Sequence, residues 1–115
     1  MENQRQIVFY KNYFEVFFDR QNKEVKKKIL WTLKLIETEP RIHKDFFKFL
    51  KNTPGLYEIR IQLGGNQYRI FCFFTPNKII VLGNGFHKKT QKTPQKEIIK
   101  AIKIKTEYES EYKIT

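Results

Sequence analysis

Two arginines stand in neighbouring stretches of alternating residues, Arg60 in Leu56-Tyr57-Glu58-Ile59-Arg60 and Arg69 in Tyr68-Arg69-Ile70-Phe71. A guanidinium presents a planar fork of donors that stays charged at physiological pH, so such a pair suits a phosphate. A third cluster follows in Gly85-Phe86-His87-Lys88-Lys89-Thr90-Gln91-Lys92-Thr93-Pro94. Crowding cations disfavours the charged form of each, which predicts a lowered pKa in the Lys88–Lys89 pair. His87 is of the one side-chain type that ordinarily titrates near neutrality. Together these residues offer an anion site that supplies both charge stabilisation and proton-transfer groups.

The elements that must position these groups follow from periodicity. From Leu56 the pattern has period two, predicting strands at Leu56–Leu63, Gln67–Phe74 and Lys78–Phe86, joined by turns at Gly64-Gly65-Asn66 and Thr75-Pro76-Asn77-Lys78. A two-residue first turn puts Ile59, Ile61 and Leu63 beside Tyr68, Ile70 and Cys72 as an apolar face for helices. Arg60, Arg69, Phe71 and Phe73 then share the opposite face, which gains Ile80, Leu82, Asn84 and Phe86 if the parity carries through the second turn. On this reading the arginines meet on an exposed or concave surface whose aromatic rings stack on bases of a single-stranded nucleic acid. The competing reading pairs Arg60 with Glu58 and makes the phenylalanines core.

Ahead of the meander, Ile7–Tyr10 reads as a short strand. Asn12 and Glu15 resemble a capping box for a helix with the stripe Tyr13, Phe14, Phe17 and Phe18. Asn22 caps a longer helix from Lys23 to Glu39, with Val25, Ile29, Leu33 and Ile36 on one face, and Pro40 ends it. Residues Ile42–Leu50 fit a helical turn or two. A last helix starts near Pro94, capped by Thr93, with Ile98, Ala101, Ile102 and Tyr108 as its stripe. The expected class is α+β in a single domain over residues 1–115, with N-terminal helices packed on a small antiparallel sheet and a C-terminal helix.

Composition narrows the partners. The chain has 115 residues and a formal charge of +11, from 23 Lys and Arg against 12 Asp and Glu. That excess favours an anionic partner. The longest apolar run, Ile70 to Phe74, is far short of the ~20 residues of a membrane span. The polar start, Met1 to Gln6, shows no secretory signal, and a lone Cys72 makes neither an internal disulfide nor a zinc site. A cytoplasmic protein is expected. No Gly-rich phosphate loop, carboxylate-rich metal cluster or serine nucleophile elbow appears, consistent with a metal-free and cofactor-free route.

The three motifs quoted above, with Ala101, resemble the phage-derived, HigB-like branch of the RelE/ParE toxins over about residues 54–105, the Lys-Lys-Thr-Gln-Lys-Thr-Pro string being the most specific part. The resemblance implies a RelE-like microbial RNase fold and the toxin of a type II toxin–antitoxin system. It implies an endoribonuclease that cuts mRNA on the ribosome without a metal, by attack of a ribose 2′-OH on the adjacent phosphate. Its partners would be a cognate helix-turn-helix antitoxin and ribosome-bound mRNA, with no membrane. Arg60 and Arg69 would hold the scissile phosphate, Lys88 and Lys89 would bind phosphate or move protons, and His87 is a further catalytic candidate. Tyr68, Phe71, Asn84, Phe86 and Lys92 are the candidate RNA contacts. Asn84 stands where many members have His, which leaves the general base open. The alternatives are a ParE-like gyrase inhibitor and a non-catalytic basic RNA- or partner-binding domain.

Overall fold

The computed structural model describes residues 3–113. Its elements are β1 (Ile7–Phe9), α1 (Tyr13–Asp19), α2 (Lys23–Thr38), β2 (Phe47–Phe49), β3 (Leu56–Leu63), β4 (Asn66–Phe74), β5 (Ile80–Lys88) and α3 (Gln95–Glu111). One five-stranded sheet has the order β1-β5-β4-β3-β2, antiparallel except for the parallel β1–β5 pair. This is the expected α+β class, compatible with a small RelE-like fold. Among the described residues no helix is long and apolar enough to cross a membrane.

The long helix forms as its sequence dictates. The Asn22 side chain accepts a hydrogen bond from the Val25 backbone N–H at 3.0 Å, satisfying one of the orphan donors of the first turn. Val25, Ile29, Leu33 and Ile36 are buried, and the helix stops at Thr38, just ahead of Pro40. The shorter helix α1 buries Phe14 and Phe17. Its expected capping box is absent, because the Asn12 side chain makes no cap hydrogen bond. Thr93 does not cap α3 either. Pro94 occupies the cap position, and the Thr93 hydroxyl instead donates to the Glu58 carboxylate at 3.2 Å.

The β3–β4 register is the expected one, with Arg60 opposite Arg69 and Ile59 opposite Ile70 across the Gly64-Gly65 turn. Parity fails on β5. Ile70 faces Gly85 while Cys72 faces Leu82, so Gly83 and Asn84 together oppose Phe71 in a β-bulge. The extra residue turns Ile80 and Leu82 to the α1–α2 face, where they pack with Ile59, Ile70 and Cys72. Both were expected on the arginine face. That face is not open along its length, because α3 lies across it. Phe71, Phe73, Val81 and Phe86 pack there against Ala101 and Ile104. Residues 47–49 are a short edge strand on β3 rather than part of a helical turn.

Candidate functional site

Arg60 and Arg69 are direct cross-strand neighbours near the Gly64-Gly65 end of the hairpin. With Lys28 of α2, Asp45 and Phe46 of the turn before β2, Ile61 and Gln62 of β3, and Gln67 and Lys88, they line a cleft of about 510 Å³. Four cations and one carboxylate therefore face one space, inside the usual volume range of ligand sites. Among the described residues, no group of three or more His, Cys, Asp or Glu side chains is placed to hold a metal ion.

Each cation is held differently. Arg69 is only 6% exposed, and donates to the Tyr68 carbonyl at 3.1 Å and the Gln67 side-chain oxygen at 2.9 Å. Its pKa is lowered, first by burial and also by Arg60, against an opposing pull from Glu58. Arg60 leans on the Glu58 carboxylate, Nε to Oε1 3.4 Å, with its side chain partly exposed. The Nε atoms of both arginines are buried; among the described residues that of Arg69 has no partner, and that of Arg60 has only the Glu58 carboxylate, without hydrogen-bond geometry. Two neighbouring guanidinium groups against one buried carboxylate repel each other, and an anion in the cleft offsets that repulsion. Half-buried Lys88 donates to the Gln91 carbonyl at 2.9 Å. Its pKa is lowered by burial first and then by Arg69 and Arg60, with Glu58 opposing. The direction matches the sequence expectation, but burial outweighs the crowding of cations as its cause.

Other sequence candidates lie elsewhere. His87 pairs with Tyr68 across β4–β5, stacks on its ring at 4.7 Å and bonds the Asn66 side-chain oxygen at 3.1 Å. Strand alternation thereby puts it on the opposite face from its neighbour Lys88, outside the cleft. Tyr68 is buried on the helix face, and Phe71 and Phe86 are core under α3, so none offers a ring face to a base. Asn84 is buried too, its amide donating to the Glu97 backbone and side-chain oxygens, both at 3.1 Å. These four candidate RNA contacts are corrected to structural roles. Lys89 and Lys92 are exposed on the loop after β5 and do not line the cleft.

Six lining residues enter that the sequence reading did not single out as a site, Ile61 and Gln62 from the arginine strand itself among them. Lys28, Asp45, Phe46 and Gln67 reach the cleft from three segments, and only Gln67, two residues before Arg69 on its strand face, had a local signal. Glu58, considered only as an ion-pair partner of Arg60, is 3% exposed and is the one buried acid among the described residues. It ties Arg60 to Thr93, and so β3 to the basic loop.

A family model described as Phage derived protein Gp49-like matches residues 16–106, which span α2, the four antiparallel strands, the basic loop and most of α3. The chain belongs to that family. No curated protein matches it. In this Gp49-like protein the matched segment contains every residue that lines the arginine cleft.

Proposed function

We propose that this Gp49-like protein is the toxin of a type II toxin–antitoxin pair, an endoribonuclease that cuts mRNA on the ribosome. The observation that carries the reading is the cross-strand pair of guanidinium groups in one cleft lined by four cations and one carboxylate. A phosphodiester would supply the negative charge that Asp45 and Glu58 provide only in part. Family membership, the resemblance to HigB-like toxins and the +11 charge support the same reading.

In the proposed reaction a ribose 2′-hydroxyl loses its proton to solvent water, its oxygen bonds to the adjacent phosphorus and the P–O5′ bond breaks, leaving a cyclic phosphate and a free 5′-OH. Arg60 and Arg69 balance the negative charge that grows on the phosphoryl oxygens. Lys88 gives its proton to the departing 5′-oxygen, a task that a lowered pKa favours. Glu58 touches no reacting atom in this scheme; it positions Arg60. Exposed Lys89 and Lys92 attract the strand. A helix-turn-helix antitoxin that presents an acidic segment to the cleft would silence the toxin.

The test is mRNA integrity in a translating extract. The wild-type chain is expected to cut ribosome-bound message, and Arg69→Ala to cut it about 10²-fold more slowly or worse. Intact message with both proteins overturns the proposal. Arrest of DNA gyrase by the wild type, with mRNA untouched, assigns the fold to the ParE-like alternative instead.

A further inference from the structure

The rings expected to stack on RNA bases are buried, yet the cleft has an aromatic wall of another origin. Phe46 lines the cleft from the turn before β2, and its carbonyl accepts the Arg60 backbone N–H at 2.8 Å, which ties the ring's residue to the arginine strand. Against Phe46 stands Trp31 of α2, ring centroids 5.8 Å apart and planes at 62°. This indole is 49% exposed, an unusual position for the chain's single tryptophan. The ammonium of Lys28, itself a cleft residue, sits 4.2 Å from the indole centroid. Beyond Trp31 the surface continues as a shallow groove of about 320 Å³ lined by Trp31, Lys34, Leu35, Thr38 and Glu39.

We propose that Phe46 and Trp31 form a base-stacking platform for the nucleotide next to the phosphate held by Arg60 and Arg69, with the strand leaving the cleft along α2. The inference rests on the RNA reading of the cleft and adds to it a base site. Single-stranded RNA fits because every base has a π-face, while Lys28 and Phe46 of the cleft both touch Trp31, and Lys34 lines the groove beyond it opposite one acid, Glu39. From Lys28 to Lys34 the helix rises about 9 Å, room for one stacked nucleotide beyond the cleft. Lys28 couples the two subsites. A phosphate in the cleft draws its ammonium from the indole face and frees that face for a base, which exchanges a cation–π contact for a stack and an ion pair.

Because Trp31 is the only tryptophan, its fluorescence reports this platform alone. The probes are a short 2′-O-methylated oligoribonucleotide, which lacks the nucleophile, and an abasic sugar-phosphate strand of the same length. Binding is read by anisotropy of labelled strands, and stacking by quenching of Trp31. The base-bearing strand is expected to quench the indole and to bind about tenfold more tightly than the abasic one. Trp31→Ala, and Trp31→Leu as the variant that keeps apolar packing, should remove that advantage without weakening abasic binding, because Lys28 no longer has an indole to leave. Arg69→Ala should weaken both strands. Equal affinity for the two strands, with no quenching, overturns the platform and leaves the arginine cleft standing. If neither strand binds, or an acidic peptide quenches Trp31 where RNA does not, the platform falls together with the RNA reading of the cleft.

Discussion

Lys88 is the residue whose chemistry the fold alters most usefully. An ordinary lysine is a poor proton donor near neutrality because it holds its proton too tightly. Half-burial and two neighbouring guanidinium groups loosen that proton, and Glu58 only partly opposes them. The active form in the proposed reaction is the ammonium, so activity is lost as pH rises through the lowered pKa. The alkaline limb of the kcat profile should therefore lie below the ordinary lysine value of 10.5. Lys88→Arg keeps the charge but gives up its proton only at far higher pH. It should remove the limb and slow cleavage by about 10²-fold. Single-turnover cleavage of a bound message across pH checks both outcomes, and a limb unchanged in the variant assigns the titration to another group. Glu58 shows why residue types alone did not give the site. Its spacing from Arg60 signals an ion pair, whereas its burial and its bond to Thr93 depend on a loop 35 residues away.

Packing between elements decides which of these groups can reach substrate. On β5, Gly85 lies under α1, and a Cβ there would come within 2.5 Å of the Phe17 ring. Gly85→Ala should destabilise the fold by about 1–3 kcal/mol, the usual cost of overpacking. Gly85→Ala with Phe17→Leu should recover part of that loss. Denaturant midpoints of the single and double variants measure the coupling, and simple additivity would show that the two positions do not share the space. The same strand marks where the sequence stopped being legible. The β3–β4 register follows from a two-residue turn, and α2 from Asn22 and its apolar stripe, because both signals are local. The Gly83–Asn84 bulge reverses the faces of Ile80 and Leu82; Gly and Asn inside a strand hint at an irregularity, but only the pairing with β4 shows where the extra residue falls. The β2 strand was hidden because Phe46, Phe49 and Leu50 have helical spacing and only pairing with β3 decides between the forms. Phe71 and Phe86 were misread for a related reason. Their shared face was legible, but not the path of α3 across it.

At the scale of the whole molecule, the two faces of the sheet have separate covers, and the cationic cleft lies near the Gly64-Gly65 end of the β3–β4 hairpin, where Arg60 stays partly exposed. Helix α3 is fixed across its face at the far end by Glu107, whose carboxylate accepts from Lys11 and from the Tyr13 hydroxyl. A +11 chain sets up a field that acts before any contact is made, and the four cleft cations then replace counterions along a bound strand. For a single strand, the logarithm of affinity falls with the logarithm of salt at about −0.7 per phosphate contact, so a slope near −3 is the expectation for about four contacts. The measurement is binding of the 2′-O-methylated strand from low to physiological ionic strength. Arg69→Ala should make the slope shallower by about 0.7, because one phosphate contact is gone. A flat response in the wild type would mean that the charge of this surface is solvated lysine rather than a phosphate grip.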